Sequence, residues 1–129
     1  MKIKGVTEFQ RKTSDSFKHA FDGLLSSIKI ERNMRIHIFI MFLVIIAGSI
    51  LNISLWDWTV CIILFGAVIS SELINTAIEN LVDTVMPYKN EKAKLVKDIA
   101  ASAVLIWAIM SAIIGLIIFI PKVIQYLSI

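Results

Sequence analysis

Residues 99–121 read IAASAVLIWAIMSAIIGLIIFIP, 23 consecutive positions without a charge. At about 1.5 Å of rise per residue, a helix of that length crosses a hydrocarbon core of about 30 Å. Lipid is therefore the solvent here, and the rest of the chain is read outward from that point. Residues 38–51 are likewise uninterrupted by charge and mark an earlier span over about 34–53. Between the two lies an apolar or weakly polar run, residues 58–71, whose 14 positions are too few to cross alone. The helix holding it must continue through Glu72, Glu79 and Asp83, over about 57–86, to reach the other face. With the last span placed at about 97–121, the fold class is an all-α membrane protein with three transmembrane helices. A length of 129 residues, 57% hydrophobic and 18% charged, fits one domain and departs from ordinary soluble composition. Five Gly and two Pro give no linker or second domain, so residues 1–129 read as a single unit.

The placement of charge sets the orientation. Of 13 Lys and Arg, eight lie in residues 2–35 and four in residues 89–97, Lys122 stands apart, and the segment 52–58 has none. Basic residues collect on the cytoplasmic side, so the N-terminus and the loop 87–98 are expected inside. The turn at 52–57 and the C-terminus are then expected outside. Trp56 and Trp58 would sit at the outer interface, where amphipathic rings prefer to lie. The net charge of +3 does not indicate nucleic acid, because the basic stretches adjoin apolar spans instead of interleaving with aromatics on a soluble surface. The first apolar run follows more than thirty polar-rich residues, which is not the order of a cleaved leader. Within those residues Phe17, Phe21, Leu24, Leu25 and Ile28 fall on one helical line, with Lys18, Asp22 and Lys29 off it. That pattern predicts an amphipathic helix over about 9–30, on the inner membrane surface or packed on the bundle. The single cysteine, Cys61, lies in an apolar run and reads as a small core residue.

The chemistry is concentrated in residues 71–83, SELINTAIENLVD. Glu72, Asn75, Thr76, Glu79 and Asp83 recur at spacings of three, four and seven, which puts them on one stripe of one helix. Each ionised carboxylate at bilayer depth costs on the order of 3 kcal/mol, so a row of them is kept only where water, cations or partner groups receive it. A merely interfacial role, hydrogen-bonding neighbouring helices, accounts better for Asp83 than for Glu72. Carboxylates in a row suit two tasks: holding a hard divalent cation through oxygen, and taking a proton from a hydroxyl. Phosphoryl transfer needs both. Glu31, in IERNMRIH before the first span, and Lys97 and Asp98, before the third, fall level with the cytoplasmic half of the stripe. One site can then draw on every helix. No G-x-x-x-x-G-K-[ST] or G-x-G-x-x-G occurs, so a nucleotide must be held by side chains. His19 and His37 are not at metal-ligand spacing, and His37 reads as an interfacial side chain at the entry to the first span.

Four stretches in order, residues 16–24 (SFKHAFDGL), 31–38 (ERNMRIHI), 72–83 (ELINTAIENLVD) and 97–105 (KDIAASAVL), resemble the bacterial small integral-membrane diacylglycerol kinase family. The resemblance is closer to its Gram-positive branch, the undecaprenol kinases, and the E-x-x-N-[TS]-A-I-E-x-x-V-D pattern is its most specific part. It implies a homotrimer of three-helix subunits in the bacterial cell membrane, each with a surface helix at the cytoplasmic N-terminus and with sites shared between subunits. It also implies ATP-dependent phosphorylation of a membrane lipid alcohol, undecaprenol to undecaprenyl phosphate, with diacylglycerol to phosphatidic acid as the alternative. By the same resemblance Glu72 is the base that deprotonates the lipid hydroxyl. Glu31 and Glu79 are the ligands of the Mg²⁺ that escorts ATP, and with Lys97 and Asp98 they bind the nucleotide; Asn75 and Asp83 give polar support. Two departures stand out. The turn after the second span reads Met86, Pro87, Tyr88, Lys89 where the family often has an acidic stretch followed by Tyr-His, and Ser102 replaces a frequent Gly near the start of the third helix.

Two readings from other classes share some of these features. A small ion-coupled transporter also keeps carboxylates at membrane depth, but it would be indifferent to ATP. A membrane scaffold leaves the cost of the Glu72 to Asp83 stripe without a return.

Overall fold

A computed structural model of the chain describes residues 4–128, with side chains described from Lys12 onward. Those residues form four α-helices and no strand: α1 (Lys4–Ile30), α2 (Arg32–Ile50), α3 (Leu55–Val85) and α4 (Glu91–Leu127). The last three are each long and apolar enough to cross a membrane. This is the three-span, all-helical layout that the charge-free runs predict, preceded by one further helix. Large apolar side chains such as Phe39, Phe42, Ile62, Ile106 and Ile117 are exposed. On a soluble protein so much apolar surface would be an aggregation hazard, whereas it matches a lipid solvent.

Each helix boundary has a local cause. Glu31 alone separates α1 from α2, its backbone extended at φ −98° and ψ 122°. Its N–H donates to Ser27 O at 2.9 Å. Arg35 Nη1 donates to Ile28 O at 3.2 Å and Lys29 O at 2.9 Å, so a guanidinium covers the terminal carbonyls of α1, the negative end of its dipole. Between α2 and α3 the chain turns through Asn52, whose φ of 48° lies in the left-handed region that Asn tolerates better than most residues. Ser54 then caps α3 by a reciprocal pair. Its Oγ accepts from the Asp57 N–H at 3.1 Å, and the Asp57 carboxylate accepts from the Ser54 N–H at 3.0 Å. Asn90 caps α4, its Oδ1 accepting from the N–H groups of Lys92 and Ala93.

The third spanning helix was expected over about 97–121 and is longer at both ends. It begins at Glu91 because Asn90 supplies the cap, and it carries Pro121 inside. Proline removes one donor and crowds the turn before it, but membrane helices tolerate that where neighbouring groups satisfy the freed carbonyl.

Helix α3 is central. It packs most extensively on α4 and also meets α2 and α1. Its buried residues, Cys61, Leu64, Val68, Glu72, Asn75 and Thr76, follow one stripe that starts apolar and ends polar. Cys61 is a free, buried thiol, as its apolar setting predicts. Trp56 is exposed, whereas Trp58 packs onto buried Gly48, where an added Cβ would lie 2.9 Å from both Trp58 and Ile53.

Candidate active site

Along the polar part of α3, burial falls toward the C-terminus. Glu72, Asn75 and Thr76 are 1%, 5% and 6% exposed, Glu79 is half-buried and Asp83 is exposed. The stripe therefore runs from the bundle interior to an open mouth. Asn75 Nδ2 donates to Glu79 Oε1 at 3.2 Å, which fixes the Glu79 side chain over one helical turn. Glu72 Oε2, Asn75 Oδ1 and Thr76 Oγ1 are buried and have no hydrogen-bond partner among the described residues. Orphaned buried oxygens cost about 1–3 kcal/mol each, so their concentration on one stripe marks a place built for something polar to enter.

Glu31 stands beside this group from the break between α1 and α2. Its carboxylate is half-buried and makes no capping hydrogen bond. The charges that act on Glu72 are those of Glu31 and Glu79. Three carboxylates from two elements thus share one field, and a cation entering among them relieves their repulsion. Among the described residues no three His, Cys, Asp or Glu side chains close on a single metal position. Magnesium does not ask for that: it commonly takes one or two carboxylates and completes its shell with water and phosphate oxygens. Glu31 and Glu79 fit this need, since both are oxygen donors, neither is fully enclosed and neither is tied up in an ion pair among the described residues.

The mouth of the site is a polar cavity of about 620 Å³ between the end of α3 and the start of α4. Glu79, Asp83, Lys97 and Asp98 all line it, and Lys94, Asn90 and Tyr88 join them. Lys97 Nζ donates to both carboxylate oxygens of Asp83, at 2.9 and 3.0 Å. The residues singled out by the sequence therefore fall into two groups. Glu31, Glu72 and Asn75 belong to the buried cluster, while Asp83, Lys97 and Asp98 belong to the open cavity. Glu79 touches both.

Sequence reasoning did not single out Asn90 or Lys94, and it noted Tyr88 only as part of a turn that departs from the family's pattern. For Lys94 the signal was available, since it stands three residues before Lys97 on the same helix; Tyr88 and Asn90 reach the cavity only because the hairpin folds them over it. Ser27 also escaped notice, although it is only 4% exposed and its Oγ lacks a partner.

Comparison with known proteins places this arrangement among relatives. The family described as prokaryotic diacylglycerol kinase matches residues 18–119. A protein of Bacillus subtilis named undecaprenol kinase is 41% identical over 107 residues, covering 83% of this chain and 87% of that protein. A protein of Synechocystis named diacylglycerol kinase is 38% identical over 111 residues, covering 85% of this chain and 63% of that protein.

Proposed function

The chain belongs to the prokaryotic diacylglycerol kinase family, and from that premise we propose that it transfers the γ-phosphoryl group of ATP to undecaprenol at the cytoplasmic face of the bacterial cell membrane. The choice of lipid follows the relative named undecaprenol kinase, which is the more similar of the two and is matched over more of its own length. The carrying observation is Glu72: a carboxylate 1% exposed, at membrane depth, with one oxygen unpartnered.

In this reading the lipid alcohol enters laterally from the bilayer and ATP enters through the polar cavity. Glu72 Oε2 accepts the hydroxyl proton while the alcohol oxygen bonds to the γ-phosphorus. The bond from that phosphorus to the bridging oxygen breaks, and ADP leaves. The magnesium ion that escorts ATP would be held by Glu31 and Glu79, and when bound it offsets the charge on the phosphates. Lys97 exchanges its Asp83 partner for a phosphate oxygen, a task suited to a flexible point charge. Asp98 borders the same cavity and contacts the nucleotide's surroundings. The N-terminus and the loop before α4 lie in the cytoplasm, in keeping with the clustering of basic residues there. A homotrimer with sites shared between subunits is part of the proposal, as the likeness to the family implies.

The test is a side-by-side assay of the purified protein in vesicles with undecaprenol or diacylglycerol and radiolabelled ATP. Labelled undecaprenyl phosphate as the main product is expected. Preferred labelling of diacylglycerol would reassign the acceptor, and no ATP consumption with any long-chain alcohol would overturn the kinase reading.

A further inference from the structure

Hydroxyls on the helices of this chain usually satisfy themselves. Ser16, Ser26, Ser49, Thr59 and Thr84 each donate to the carbonyl one turn back, at 2.7–2.9 Å. Three buried hydroxyls do not: Ser111 Oγ, among apolar neighbours on α4, and Ser27 Oγ and Thr76 Oγ1. Ser27 Oγ and Thr76 Oγ1 have the same kind of carbonyl behind them and still have no partner. The contrast is sharpest at neighbouring positions: exposed Ser26 bonds back to Asp22 O at 2.8 Å, while Ser27, 4% exposed, forgoes the equivalent bond. A buried helical hydroxyl without its back-bond keeps its proton free for a partner off its own helix.

Ser27 and Thr76 stand on α1 and α3, helices that meet, and α3 carries Glu72. Thr76 lies one turn from it on the buried stripe of α3. On α1, Ser27 is the one buried residue among those with described side chains, and α1 meets α3. One turn further on, the N–H of Glu31 is bonded to Ser27 O, and Glu31 is one of the two carboxylates whose charge reaches Glu72. Among the described residues, Ser27 Oγ, Glu72 Oε2, Asn75 Oδ1 and Thr76 Oγ1 make up most of the buried polar atoms left unpaired.

We infer that Ser27 and Thr76 are substrate-binding hydroxyls that donate to the oxygen of the acceptor alcohol while that alcohol donates to Glu72. An alcohol oxygen offers one proton and two lone pairs, and one carboxylate oxygen with two hydroxyls is its complement. This inference rests on the kinase reading above and assigns α1 a direct part in it: the first helix holds the lipid headgroup, beyond any role at the membrane surface. The oxygen is then fixed with its proton toward the base and a lone pair free for phosphorus when one of the two bonds loosens.

Ser27→Ala tests this in vesicles with the acceptor lipid and ATP varied in turn. Loss of one such bond predicts a roughly 3- to 10-fold rise in the KM for the lipid, with the KM for ATP unchanged. Ser27→Thr, which keeps the hydroxyl, should recover most of the loss, and Ser27→Val, of the same shape without it, should not. Ser26→Ala should behave as wild type. If Ser27→Ala folds poorly, the Thr and Val pair carries the test alone. Unchanged lipid KM in Ser27→Ala, or equal behaviour of Thr and Val, overturns the inference while leaving the kinase reading intact. An inactive wild-type protein on every lipid alcohol overturns both.

Discussion

Two cavities flank α3, walled in part by the same helix pair. In the orientation proposed above, the inner one, about 620 Å³, is lined by Glu79, Asp83, Lys94, Lys97 and Asp98. The outer one, about 490 Å³, is lined by Met41, Val44, Leu64, Val68 and Phe119, with His37 and Ser111 among its few polar neighbours. Their difference lies in how each holds its shape. In lipid, apolar burial between helices supplies little drive, so the outer half depends on close packing, as where Trp58 seats on Gly48. The inner half depends on polar partners that can be exchanged. The Lys97 and Asp83 side chains are 32% and 65% exposed, and an ion pair that open adds little to stability. Lys97 can therefore leave Asp83 for a phosphate without loosening the hairpin. Glu72 sits where the two regimes meet, one turn below Val68 on the same buried stripe.

The largest expected effect is at that junction. Glu72→Gln keeps the shape and removes the charge, and losing a general base lowers turnover by roughly 10²- to 10⁴-fold. Thermal stability in detergent should hold or rise, because an ionised carboxylate is no longer carried at membrane depth. A well-folded variant with near-normal turnover would move the base elsewhere and reduce Glu72 to a structural group. Glu79→Ala acts on the side of the open cavity and should have a smaller effect. The Mg²⁺ and ATP concentrations for half-maximal rate should rise about tenfold, given the few carboxylates such a cation takes from protein, while the lipid KM stays put. An unchanged metal titration would take Glu79 out of the cation's shell.

How much of this was legible beforehand follows the same division. The spans were, because lipid demands a charge-free length and 99–121 meets that demand without reference to any neighbour. The stripe from Glu72 to Asp83 was legible too, since helical spacing is local. Which of its members are buried was not, because the depth of Asn75 and the openness of Asp83 depend on what α1, α2 and α4 place opposite. The Lys97 to Asp83 pair, fourteen residues apart, arises only when the hairpin closes, and no helical period announces it. Helix ends were poorly legible where one residue decides them: Asn90 starts α4 earlier than the apolar run requires, and Pro121 fails to stop it. Ser26 and Ser27 are chemically identical in the sequence, and only the packing of α1 turns one toward solvent and the other inward.

The outer half can be probed with two glycines whose surroundings differ. At Gly48 a new Cβ would stand 2.9 Å from the Trp58 ring and from Ile53 Cδ1, closer than such contacts are found, so the indole has to shift and the α2 to α3 turn with it. At Gly115, which lines the outer cavity, a new Cβ meets nothing within 4 Å. Gly48→Ala should therefore destabilise by about 1–3 kcal/mol, the usual cost of overpacking. Gly115→Ala should be neutral or stabilising by about 0.5–1 kcal/mol, the gain from removing glycine's extra backbone freedom in a helix interior. Thermal unfolding of both variants in the same detergent measures the contrast. Equal melting temperatures would mean that Trp58 gives way freely, and close packing at Gly48 would then not be what holds the outer half together.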